Sequence, residues 1–154
     1  MLILASASKA RLELLESVGI TPDKILNTNI DETPNKSEKP LDYVSRIALE
    51  KNKSVKKKKI EIVLTADTVV ALGRRILQKP NDEEEALYFL NLLSGRRHKV
   101  YTSICIFYKE KYYQKNVKTT LKMKRLSDDE KKCYLLTDEW KGKAGGYSIQ
   151  GAAS

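Results

Sequence analysis

The chain has 154 residues, 29 of them lysine or arginine against 20 aspartate or glutamate, which leaves a net charge of +9. A chain of this length is expected to form one domain over residues 1–154, burying about two thirds of the surface its unfolded form exposes, and the charge suits an anionic partner: nucleic acid, an acidic membrane or a polyphosphate. No apolar run approaches the roughly 20 residues of a membrane span. No basic leader opens the chain, and Cys105, Cys133 and His98 lack the spacing of a zinc or redox site, so a cytoplasmic protein with reduced thiols is expected.

In chain order, "LILA" (2–5) predicts a strand, with Ser6 and Ser8 as cap candidates for a helix over "RLELLESV" that stops near Gly19. "KILNTNI" (24–30) predicts a second strand, and Asp31-Glu32 open a polar loop running to Pro40. From Leu41, the residues Val44, Ile47, Ala48 and Val55 recur at helical spacing, and the helix is expected to fray into Lys56–Lys59. That lysine run reads as a solvated helix end in keeping with the macrodipole. "IEIVLTADTVVAL" (60–72) is a β-branched strand with a turn at Gly73-Arg74, followed by "RILQ" and Lys79-Pro80. "NDEEEALYFLNLLSG" has acids in its first turn, an apolar face and Gly95 past its end, as a helix requires. "HKVYTSICIFY" and "YYQKNVKTTLKM" flank "KEK" as a long hairpin, and Ser127 and Glu130 have capping-box spacing ahead of a short helix. The tail "WKGKAGGYSIQGAAS" is rich in glycine, giving backbone that can approach a ligand closely. Strands interleaved with helices plus one hairpin predict an α/β fold on a mixed central sheet, with a ligand cleft at the strand ends.

Asp67 stands out because an ionised carboxylate inside an apolar strand is costly to bury unless something pairs with it. Placed at the end of its strand, it could converge with Asp31-Glu32 on Mg²⁺, an ion that takes one or two carboxylates together with substrate phosphates and waters. The alternatives are a strand-end turn for Asp67 and an ordinary acidic loop for Asp31-Glu32. Ser6, Ser8 and Arg11 could hold a phosphate at a helix N-terminus, although serines there are more often caps. Lys79 and Lys143 read by default as surface charges.

The segments "LASASKARLELL", "ADTVV", "LQKP", "SGRRHKVYT" and "KAGGYSIQG", taken in this order, resemble the Maf family of septum-formation-inhibitor-like nucleoside triphosphate pyrophosphatases, from residue 3 to residue 151. The resemblance implies a Maf- or ITPase-like fold and a catalytic Asp67 acting as proton acceptor. It implies substrate-specificity positions at Arg11, Thr68 and Gln150, and phosphate-binding positions at Ser6, Ser8, Arg11, Lys51, Lys79 and Lys143. Glu32 and Asp67 would hold a divalent cation, Mg²⁺ or Mn²⁺. Asp-Thr combined with Ile-Gln-Gly looks like the branch that hydrolyses dTTP and UTP, with modified pyrimidine nucleotides also in range, to the monophosphate and pyrophosphate. A homodimer is expected, and no membrane partner. The family's Ser-x-Ser-Pro-Arg-Arg reads here Ser6-Ala7-Ser8-Lys9-Ala10-Arg11, so one cation is lost unless Lys9 replaces it. Family members normally add a Gly-Leu-Pro segment and a final helix beyond the position of Ser154, which predicts a C-terminally short chain of reduced stability or activity. The competing functions are an inactive relative and a basic protein that binds nucleic acid through Lys56–Lys59.

Overall fold

The computed structural model describes residues 1–58, 61–149 and 151–152. Among them are six strands in one mixed sheet and four α-helices. Strand β1 (Leu2–Ala5) pairs in parallel with β2 (Lys24–Leu26) and with β3 (Ile62–Leu72), whereas β3 pairs antiparallel with β4 (Arg75–Leu77). The hairpin strands β5 (Arg97–Tyr108) and β6 (Lys111–Lys122) complete the order β2-β1-β3-β5-β6, with β4 on β3 off this path. The helices are α1 (Lys9–Ser17), α2 (Pro40–Ser54), α3 (Glu83–Leu93) and α4 (Asp128–Leu136).

The chain divides into two units, the first made of residues 1–67 and 102–117, the second of residues 68–101 and 118 onward. In the first unit, Ile3, Ala5 and Val63 form a buried cluster against Leu26, Val55 and Phe107. Helix α2 starts at Pro40, whose missing N–H costs nothing in a first turn. Its buried residues Tyr43, Val44, Ile47, Ala48, Lys51 and Asn52 recur at spacings of three and four, so one stripe carries an apolar core and two polar side chains. In the second unit, Ala86, Phe89, Leu90 and Leu93 of α3 pack with Val70, Leu77, Met123, Tyr134, Leu135, Trp140 and Tyr147. A fully buried leucine such as Leu90 contributes about 1.5–3 kcal/mol. The Asp82 side chain accepts from Glu85 N–H at 2.8 Å to start α3. Ser127 and Glu130 form the expected capping box of α4.

Several expectations change. The second strand covers only Lys24–Leu26, because the polar residues Asn27 to Asn29 have no core face to fill. Helix α2 ends at Ser54, before the lysine run; Lys59 lies outside the described residues. Asp67 is not at a strand end: β3 continues through it for five more residues, since Val69, Val70 and Ala71 are buried and β4 pairs with Val70–Leu72. The hairpin closes with only Lys109 and Glu110, both at positive φ (48° and 63°), the paired geometry of a type I′ turn that matches strand twist.

Candidate active site

Asp67 lies three residues beyond the last β1–β3 pair, Leu4–Leu64, in the part of β3 that no longer pairs with β1. It is only 6% exposed, and its alternation partners Thr65 and Val69 are buried as well. A carboxylate at such a position requires a cation, and the stripe of α2 supplies one. Lys51 follows Ala48 by three residues, so the same helical periodicity that buries Ile47 and Ala48 turns Lys51 inward. Its ammonium lies 2.7 Å from Asp67 Oδ1 and 2.8 Å from Glu32 Oε1.

Asn52 fixes this reach. Its Nδ2 donates to the carbonyls of Val63 at 2.9 Å and Cys105 at 3.0 Å, pinning α2 to two strands. The Thr65 hydroxyl donates to the Ala48 carbonyl at 2.8 Å and adds a second pin. Glu32 comes from the loop between β2 and α2, where the Tyr43 hydroxyl donates to its backbone carbonyl at 2.9 Å. Arg11 of α1 donates to Ser6 Oγ at 3.1 Å, and Ser6 Oγ also accepts from the Ser8 N–H at 3.2 Å. Ser8 stands at the N-cap of α1, but its side chain makes no capping bond, which corrects its reading as a cap.

The electrostatics are those of mutually dependent charges. Burial raises the Asp67 carboxyl above its ordinary value, with Lys51 as the main opposing pull, Arg11 opposing more weakly and Glu32 adding to the rise. Burial lowers the Arg11 guanidinium, while the charges of Asp67 and Glu32 hold it up. Arg11, Glu32, Lys51 and Asp67 are thus one cluster within the first unit.

Thr68, Lys79 and Lys143 belong to the second unit, where Lys79 is exposed and Thr68 and Lys143 are half-buried. Gln150 lies outside the described residues. The glycine-rich tail has a packing reason: Gly145 has φ +68° and donates its N–H to the Gln78 carbonyl at 3.0 Å. A Cβ there would fall 2.8 Å from the side chain of Val70. Sequence patterns pass over Tyr43, Arg46 and Asn52; the signal available for Asn52 was an amide continuing the apolar stripe of α2.

A divalent cation can be tested against this donor set. No group of three or more His, Cys, Asp or Glu side chains is assembled among the described residues. Asp67 and Glu32 are oxygen donors of the type Mg²⁺ or Mn²⁺ takes along with substrate phosphates and water, and the point on which they converge is held by the Lys51 ammonium.

A family model described as Maf-like protein matches residues 1–154. The chain is 52% identical over 151 residues to a protein of Ruegeria sp. (strain TM1040) named dTTP/UTP pyrophosphatase, covering 98% of this chain and 78% of that one. It is 52% identical over 153 residues to a dTTP/UTP pyrophosphatase of Cereibacter sphaeroides, covering 99% of this chain and 80% of that protein. Among solved structures, a HAM1 protein from Coxiella burnetii superimposes with a TM-score of 0.50 at 12% identity, over 81% of this chain and 73% of that one, a likeness of fold alone.

Proposed function

The chain belongs to the Maf family, and on that premise we propose that it hydrolyses dTTP and UTP between the α- and β-phosphates, releasing the nucleoside monophosphate and pyrophosphate. The observation that carries the reading is the buried Asp67 carboxylate, 2.7 Å from Lys51 and clustered with Glu32 and Arg11. Water attacks the α-phosphorus, the bond to the bridging oxygen breaks, and pyrophosphate leaves with its electron pair. Asp67 accepts the proton that the water loses, a role open to it only while ionised. Lys51 pulls toward the ionised form against the effect of burial.

A triphosphate repels any nucleophile, so positive charge must gather round it. Arg11, Lys79 and Lys143 take that role in this reading, with the Ser6 and Ser8 hydroxyls as hydrogen-bonding partners for phosphate oxygens. Glu32 and Asp67 would hold Mg²⁺ or Mn²⁺, which when bound supplies further neutralisation of the triphosphate. Thr68 and Gln150 choose the pyrimidine base. No described helix is long and apolar enough to cross a membrane. A cytoplasmic location, a homodimer and a single functional domain over residues 1–154 complete the proposal.

The test is release of pyrophosphate from dTTP and UTP with Mg²⁺, wild type against Asp67→Asn. Loss of a general base lowers kcat by about 10²- to 10⁴-fold, and equal rates would remove Asp67 from the mechanism. Because burial raises the Asp67 carboxyl, the acidic limb of kcat/KM should lie above the range of an exposed aspartate.

A further inference from the structure

Glu32 sits on the loop between β2 and α2, residues 27–39, a segment without regular secondary structure apart from a turn. A loop of this kind needs a fastening to bring one side chain to a fixed point, and the structure shows where it is. Arg46 Nε donates to Glu38 Oε1 at 2.7 Å and its Nη2 to Glu38 Oε2 at 2.8 Å, a two-pronged pair. The same Nη2 donates to the Thr33 carbonyl at 3.1 Å, next in sequence to Glu32. Nη1 reaches Glu50 Oε2 at 3.2 Å, holding the guanidinium along its own helix, and the group lies 5.7 Å from the centre of the Tyr43 ring. Glu38 in turn accepts from the Asn35 N–H at 2.8 Å, so its carboxylate, with a side chain only 9% exposed, gathers both the loop backbone and the arginine. Tyr43, one turn before Arg46, donates to the carbonyl of Glu32 itself.

From this we infer that Arg46 is a positioning residue for the reaction: with Glu38 and Tyr43 it clamps the acidic loop onto α2, so that Glu32 meets the Lys51 ammonium. An ordinary surface ion pair between Arg46 and Glu50 would not need the fork or the Thr33 carbonyl; the clamp uses both. Helix α2 thereby carries both halves of the arrangement, Lys51 pointing at Asp67 and the residues that hold Glu32 beside it. Lysine at position 46 would fail in this role, because a point charge cannot span both oxygens of Glu38 while reaching Thr33. The inference rests on the reading of Glu32 as part of the reaction site.

Two readouts decide it, applied to wild type, Arg46→Ala, Arg46→Lys, Glu32→Gln and the double variant Arg46→Ala/Glu32→Gln. Amide hydrogen exchange at Thr33 and Asn35 should rise about tenfold or more in both Arg46 variants while Val63 in β3 is unaffected, the signature of local loosening. The kcat/KM for dTTP should fall in the Arg46 variants, and the double variant should match Glu32→Gln alone, because the arginine acts only through that glutamate. Unchanged loop exchange, or losses that multiply in the double variant, would overturn the clamp. Full activity in Glu32→Gln would overturn the catalytic reading of the acid pair, and with it the positioning role, even if loop exchange still showed Arg46 fastening the loop.

Discussion

Replacing Lys51 by methionine keeps an unbranched side chain one atom shorter and removes its charge, leaving Asp67 in place with an exposure of 6% and no adjacent ammonium. Removing one partner of a buried ion pair costs about 3–5 kcal/mol, but Asp67 has an escape: it can take up a proton. Protonating an aspartate of unfolded pKa about 3.9 costs about 1.36 kcal/mol per pH step, so about 4 kcal/mol at pH 7 and about 1.5 kcal/mol at pH 5. These values cap the penalty from Asp67, whatever the local dielectric. Glu32 adds little, because its side chain is 37% exposed and water replaces the lost partner.

The direction of the pH effect follows from burial, which raises the folded pKa of Asp67 above its unfolded value. A group of this kind stabilises the fold fully below its unfolded pKa, and the contribution is lost as pH rises through the folded pKa. Without Lys51 the main opposing pull is gone, so the loss extends to higher pH. Urea unfolding at pH 5 and pH 7 is the assay. Lys51→Met should be destabilised at pH 7 by up to about 4 kcal/mol and much less at pH 5, and adding Asp67→Asn should recover most of the loss. An equal penalty at both pH values, or no recovery in the double variant, would refute the buried pair as the source.

Asn52→Leu takes the amide donor from the Val63 carbonyl, whereas the Cys105 carbonyl keeps the Thr65 hydroxyl at 3.3 Å, so a loss of about 1–3 kcal/mol is expected; urea unfolding measures it, and a near-neutral result would mean the pins are dispensable. Converting Lys109-Glu110 to Asn-Gly suits two positive φ values better and should add about 1 kcal/mol of stability, read as a higher urea midpoint. Gly145→Ala would set a Cβ 2.8 Å from Val70 at a φ of +68°, costing about 1–3 kcal/mol or more. A thermal midpoint equal to wild type would show that the tail does not hold this approach.

Periodicity and end signals were enough for most local elements, though not for the length of β2 or the end of α2. The acids and Gly95 bracket α3, Ser127 and Glu130 cap α4, and the alternating Val100, Thr102, Ile104 and Ile106 mark β5, because these signals act between residues a few positions apart. Chain order of short motifs was enough for the family, and it singled out Asp67, Lys51, Glu32 and Arg11, which the structure brings into one cluster. Contacts between distant segments were not legible. The run to Leu72 showed β3 continuing past Asp67, but not that it leaves β1 at Leu64 and takes β4 as partner over Val70 to Leu72.

The sequence by itself determined most of the elements, through the spacing of apolar and capping residues, and the family, through the resemblance of its motifs. The tertiary structure alone decided who pairs with whom: that Lys51 stands between Asp67 and Glu32, that Asn52 pins α2 to two strands, and that Arg46 fastens the acidic loop through Glu38. The physical reason is that a charge is steered by distance and by exclusion of water. Both are set where a helix stripe meets a strand face or a loop, and residues 8 or more apart acquire that relation only when the chain has folded.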